Sequence, residues 1–142
     1  VLFTDEWGGG GRPRCQAGDP RNWGANAIYE LKDGKLKAAH NYIDVAVYSV
    51  ESDGTVPAGE RELKMDFTYE GGEEMGKSGT LTLSVDGSPV GSGQIAQTTP
   101  FKYSLSENQD VGTDTGTAVT TDYQAPFDFQ GELEAVVVDL KK

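Results

Sequence analysis

Alternation of apolar and polar residues is the strongest local signal in this chain. From Arg61 to Tyr69, Leu63, Met65, Phe67 and Tyr69 fall on one side and Glu62, Lys64, Asp66 and Thr68 on the other. A period of two over that length predicts a half-buried antiparallel strand. Thr80 to Asp86 repeats it with Leu81, Leu83 and Val85 inward, and Asp86-Gly87 turns the chain into Pro89 to Ile95. Ala27 to Lys32 and Lys35 to Tyr42 predict two strands around Asp33-Gly34, a hairpin turn whose two positions tolerate positive φ. Val45 to Val50 is a β-branched third strand, and Phe101 to Leu105 follows Pro100. Phe127 and Phe129 precede Gly131 to Leu140. Val136-Val137-Val138 has no polar face, so that last strand is expected to be central and covered on both sides. No stretch reads as a helix. Short strands with turn signals every ~8–12 residues predict an all-β, antiparallel β-sandwich in one domain over residues 1–142.

Between the strands lies Asn108 to Tyr123, with three aspartates, two glycines and five threonines. That run is too polar for a core strand and too rich in turn formers for a helix. It reads as a shaped loop on the sheet scaffold, where function tends to sit.

Composition changes the picture mainly through charge. The net charge is −11 with a pI near 4.4, which repels phosphate backbones and argues against nucleic acid as a partner. No apolar run approaches the ~20 residues of a membrane helix, so no membrane insertion is expected. Thr4 to Gly24 is a glycine-rich exception. It carries three acids and three bases, so the whole −11 lies in the other 118 residues. It holds Trp7, Trp23, Arg12, Arg14 and Arg21, and the only cysteine, Cys15. Tryptophan faces stack on sugar rings and arginine forks bind sulfate or carboxylate, so these five residues are candidate ligand contacts for a sulfated carbohydrate. The alternative is that the tryptophans plug a satellite core while the arginines pair with Asp5, Glu6 and Asp19. Asp110, Asp114 and Asp122 could ligate calcium, which takes six to eight oxygens. The same Asp and Thr side chains also cap turns by bonding local backbone N–H groups. His40 stands in a predicted strand with no second histidine, which leaves a zinc site or a Ser-His-Asp triad without support.

The stretch PFKYSLSENQDVGTDTGTAVTTDYQAPFDFQGELEAVVVDL (Pro100 to Leu140) resembles the C-terminal end of bacterial arylsulfatases, where a similar pattern closes an accessory β-sandwich. VDG with VGSGQI (Val85 to Ile95), YELKDGKLKAAHNY (Tyr29 to Tyr42) and YEGGEEMGKSGTLTL (Tyr69 to Leu83) extend the likeness. The resemblance implies a jelly roll of the concanavalin-like and laminin-G-like kind, with analogues that carry rim calcium. It also implies a catalytic sulfatase domain as partner and a periplasmic or secreted setting. Sulfatases use a formylglycine made in a Cys/Ser-x-Pro/Ala-x-Arg motif. Cys15-Gln16-Ala17-Gly18-Asp19 has Asp where Arg is required, so this chain is expected to be non-catalytic, with no catalytic cofactor. Two departures stand out: the family has a short link in place of Thr4 to Gly24, and its opening strands and catalytic domain are missing. The chain opens at Val1 without Met, and Val1 to Phe3 reads as the end of a strand. The expectation is a C-terminal piece of a larger sulfatase-like chain, contacting its catalytic domain through an open N-terminal sheet edge and the Thr4 to Gly24 loop. A free-standing carbohydrate-binding module is the competing expectation.

Overall fold

The computed structural model describes residues 3–5, 27–42, 45–71, 73–99, 110–114 and 118–139. Ten strands follow in order: β1 (Phe3–Asp5), β2 (Ala27–Lys32), β3 (Lys35–Tyr42), β4 (Ala46–Glu51), β5 (Leu63–Tyr69), β6 (Gly79–Val85), β7 (Ser88–Ile95), β8 (Asp110–Val111), β9 (Thr113–Asp114) and β10 (Phe127–Asp128). They form three antiparallel sheets, ordered β4-β3-β2-β1-β8, β5-β6-β7 and β10-β9. No helix occurs among the described residues, and so none there is long and apolar enough to cross a membrane.

The two Asp-Gly turns set the register. Asp33 and Gly34 have φ of 52° and 78°, and Asp86 and Gly87 have 50° and 77°. Positive φ at both central residues gives the turn twist that matches two strands. Lys32 therefore faces Lys35 and Glu30 faces Lys37, while Val85 faces Ser88.

The five- and three-stranded sheets meet over one apolar core: Leu36 and Ala38 of β3, Val50 of β4, Leu81, Leu83 and Val85 of β6, and Ile95 of β7. Leu63 and Met65 of β5 lean on it. Fully burying a Leu, Val or Ile side chain contributes ~1.5–3 kcal/mol, so this interface dominates the packing. At one side β4 runs into β7. Asp53 donates its backbone N–H to the Val90 carbonyl at 2.8 Å, and a Cβ on Gly91 would stand 2.6 Å from the Glu51 carbonyl oxygen. Only glycine permits that approach.

A second, smaller cluster lies on the other face of β3. Ala39 packs there with Val119 and Tyr123, and Ala118, Phe127 and Phe129 lean against them. The five-stranded sheet is thus covered on both faces, and Ala38-Ala39 supplies small side chains to each.

Three expectations change. The strand covered on both faces is β3, not the final apolar run. Residues 131–139 form no strand, and Val137 and Val138 are 87% and 59% exposed. An all-apolar triplet shows that both faces favour burial, not that neighbours reach them. The N-terminal strand is not an open edge: Phe3 pairs with Tyr29 on one side and Val111 on the other. The turn-rich stretch that reads as a shaped loop is more buried than its polarity suggests: Asp114, Val119, Thr120 and Tyr123 are all buried. Its polar side chains satisfy one another, which lets the segment lie on a sheet face. The predicted strand Phe101 to Leu105 lies outside the described residues.

Candidate functional site

The outer face of β2–β3–β4, the one turned toward residues 118–129, collects most of the buried charge. Strand alternation and the Asp33-Gly34 turn put Glu30 and Lys32 of β2, Lys35 and Lys37 of β3 and Glu51 of β4 on this face. Lys35 Nζ meets Glu51 Oε1 at 2.6 Å. Lys37 Nζ pairs with Asp122 Oδ2, and Lys32 Nζ donates to the Asp122 carbonyl oxygen. These residues and Asp33 line a depression of about 400 Å³. The Lys35–Glu51 hydrogen bond and charge hold the Glu51 carboxyl below its ordinary range.

Beneath the depression the site turns dry. Glu30 is fully buried and neither of its carboxylate oxygens has a hydrogen-bond partner among the described residues. Burial raises its pKa above the usual carboxylate range; Lys37 and Lys32 pull it down, while Asp114 and Asp33 push it up. Asp114 is fully buried as well, and Tyr123 donates its hydroxyl proton to Asp114 Oδ2. The same hydroxyl oxygen accepts the Val119 N–H at 2.9 Å. Burial first, then Asp114, raises the Tyr123 pKa, so its proton stays in place as a donor. Asn41 of β3 donates to the Val119 carbonyl at 3.2 Å, and the Tyr123 ring sits 5.2 Å from that of Phe127 at a 51° tilt. Every strut of this network ties Asp114, Val119 and Tyr123 to the sheet or to each other.

Chemically, the two levels differ. With the covering segment in place, Glu30 and Asp114 have no solvent-accessible surface, so no substrate touches them. The depression above is reachable, and its three lysines face three carboxylates. It offers paired charges rather than a strong anion trap.

Trp7, Arg12, Arg14, Arg21 and Trp23 lie outside the described residues, as does Cys15. Asp110 is in β8, opposite Thr4. Asp114 engages Tyr123 under the covering segment, while Asp122 engages Lys37 at its margin. Among the described residues no three or more His, Cys, Asp or Glu side chains are grouped to hold a metal ion. His40 stands mid-β3, opposite Tyr48 of β4. Glu30, Lys37 and Tyr123 were not singled out by sequence reasoning, yet a signal for the first two was present. A two-residue turn at Asp33-Gly34 forces Glu30 across from Lys37.

Compared with known proteins, the chain matches no protein-family model, no curated protein and no solved structure.

Proposed function

We propose that this chain is a non-catalytic β-sandwich accessory domain that packs against a larger partner, as the C-terminal sandwich of an arylsulfatase-like sulfuric ester hydrolase does. The motif resemblance from Ala27 to Leu140 supplies the family, and jelly-roll connectivity belongs to the same proposal. One structural observation carries the packing role. On β5, which among the described residues pairs with β6 alone, Phe67 and Tyr69 are 42% and 37% exposed. Aromatic surface at an unpaired strand edge is the kind of patch that partners cover.

The test mixes the purified chain with an arylsulfatase catalytic core lacking its C-terminal sandwich. A stable complex by size-exclusion chromatography, weakened by Phe67→Glu, is expected. Turnover of a chromogenic aryl sulfate by the pure chain, lost on Cys15→Ala, would overturn the non-catalytic reading.

A second reading, a free-standing carbohydrate-binding module, is favoured by the lysine-lined depression. A sulfated saccharide there would replace Glu51 and Asp122 as the partners of Lys35 and Lys37. Binding on a glycan array that requires sulfate and is lost on Lys35→Ala would select it over the first.

A further inference from the structure

Among the described residues the outer side of β5 has no strand neighbour, whereas β7 at the opposite edge is met by the end of β4. The hydrogen bonds at the two ends of β5 show which backbone groups face out. Just before the strand, the Glu62 carbonyl accepts the Asp86 N–H at 2.9 Å; just after it, Glu70 donates its N–H to the Ser78 carbonyl at 3.0 Å. Both bonds point toward β6. Backbone groups alternate in direction along a strand, so Leu63, Met65, Phe67 and Tyr69 turn their N–H and C=O groups outward. The aromatic side chains at this edge are held in place. The Phe67 ring lies over Gly79, where a Cβ would collide with it. Tyr69 donates its hydroxyl proton to the Glu74 carbonyl and accepts the Lys77 N–H at 3.1 Å. Both rings nonetheless remain partly in solvent. On the other face of the strand, Lys64 and Asp66 stand 2.6 Å apart, one charge of each sign.

We propose that β5 is a homodimer edge: two copies join antiparallel about a two-fold axis at Met65, making one continuous six-stranded sheet. The occupant is a second copy because the charge pattern of the edge is self-complementary. In this register Lys64 faces the partner's Asp66, and Asp66 faces the partner's Lys64. Met65 meets the partner's Met65 and Phe67 meets the partner's Leu63, so the apolar face runs on across the axis. The outward backbone groups then form the hydrogen-bonded pairs, and Lys64 and Asp66 take the closer, non-hydrogen-bonded positions where side chains interact best. Sliding one copy by two residues fails in either direction. One shift sets Lys64 against the partner's Lys64 and Glu62 against the partner's Asp66. The other sets Asp66 against the partner's Asp66 and Glu62 against the partner's Glu70. A parallel in-register pair also sets Lys64 against the partner's Lys64. Charges on an edge strand ordinarily keep copies apart. Here their alternation in sign selects one register instead. The inference rests on the edge itself and not on the sulfatase reading.

The test is size-exclusion chromatography with light scattering on the full chain, at ~0.15 M salt, where repulsion between two acidic copies is screened beyond ~8 Å. A concentration-dependent dimer is expected. Lys64→Asp and Asp66→Lys should each weaken it about tenfold or more, since each reversal turns two symmetric attractive contacts into repulsive ones. An equimolar mixture of the two variants should restore association as a heterodimer, because each Asp then faces a Lys again. In a Cys15→Ser background, Met65→Cys should oxidise to a disulfide-linked dimer, since its two copies stand ~5.5 Å apart between Cα atoms. Thr68→Cys should not, because its copies lie six positions apart along the ladder, ~20 Å at ~3.3 Å per residue. A chain that stays monomeric up to millimolar concentration would overturn the proposal. So would a dimer indifferent to both reversals, or one cross-linked equally at 65 and 68. A monomer that still bound a sulfatase core would overturn the homodimer alone and leave the accessory-domain reading standing.

Discussion

The two faces of the five-stranded sheet are covered by different physics. The inner face is held mainly by apolar area: Leu36, Ala38 and Val50 against Leu81, Leu83, Val85 and Ile95. On the outer face three residues, Ala39, Val119 and Tyr123, form the apolar cluster, and a polar network does the rest. Apolar packing is non-directional and tolerates small shifts. A buried hydrogen-bond network is directional and costs energy whenever one member is removed. The inner face therefore sets how stable the domain is, and the outer face sets where Asp114 and residues 118–127 sit.

If that division holds, the largest loss comes from the inner face. Leu83→Ala removes a fully buried side chain from the middle of β6 and should cost about 2–5 kcal/mol in urea unfolding. A cost below that of the outer-face changes would break the comparison. Next comes Tyr123→Phe, which keeps the ring against Phe127 but deletes a hydroxyl that serves both Asp114 and the Val119 N–H. The expected cost is about 1–3 kcal/mol. A double-mutant cycle with Asp114→Asn should show coupling, and simple additivity would argue against a shared network.

How legible these features were depends on whether the information was local. Strand pairs β2–β3 and β6–β7 follow from Asp-Gly turns, and the β5 alternation predicted a strand that the structure has, with Leu63 and Met65 against the core but Phe67 and Tyr69 exposed. The inner core was readable because Leu81, Leu83 and Val85 repeat every second residue. The outer layer was not, because Asp114, Thr120 and Tyr123 read as solvent-facing residues until their mutual hydrogen bonds are known. Placement of Phe3–Asp5 between β2 and β8 depends on pairing between distant segments, which no local pattern encodes. The final valine run shows the opposite failure: strong β propensity without a paired neighbour among the described residues.

Glu30 sharpens the comparison with a smaller effect of opposite sign. Its carboxyl is buried with no hydrogen bond among the described residues, and its pKa is raised in the folded protein. The folded state then keeps this proton to higher pH than the unfolded state does. Glu30 therefore favours folding most below its unfolded pKa of ~4.3, and that advantage is lost as pH rises through the raised folded value. Glu30→Gln should stabilise the domain at neutral pH and flatten stability across that window. Destabilisation by Glu30→Gln at neutral pH would show that Lys37 and Lys32 compensate the charge fully.

The smallest expected effect concerns calcium. Asp110, Asp114 and Asp122 looked like ligands because three carboxylates lie within one turn-rich stretch. In the structure Asp114 takes the Tyr123 hydroxyl and Asp122 takes Lys37, so two of the three spend their negative charge within the protein. Calcium binding there would compete with both contacts for the carboxylates' charge. A ligand that binds only the folded state adds ~2.7 kcal/mol at a hundredfold excess over its dissociation constant, which is several degrees of melting temperature for a domain of this size. The expected outcome is the same melting temperature in millimolar calcium and in chelator. A rise with calcium that disappears in Asp114→Asn would return the stretch to metal binding. It would also mean that Tyr123 gives up Asp114 when the ion arrives, which loss of the effect of Tyr123→Phe in calcium would reveal.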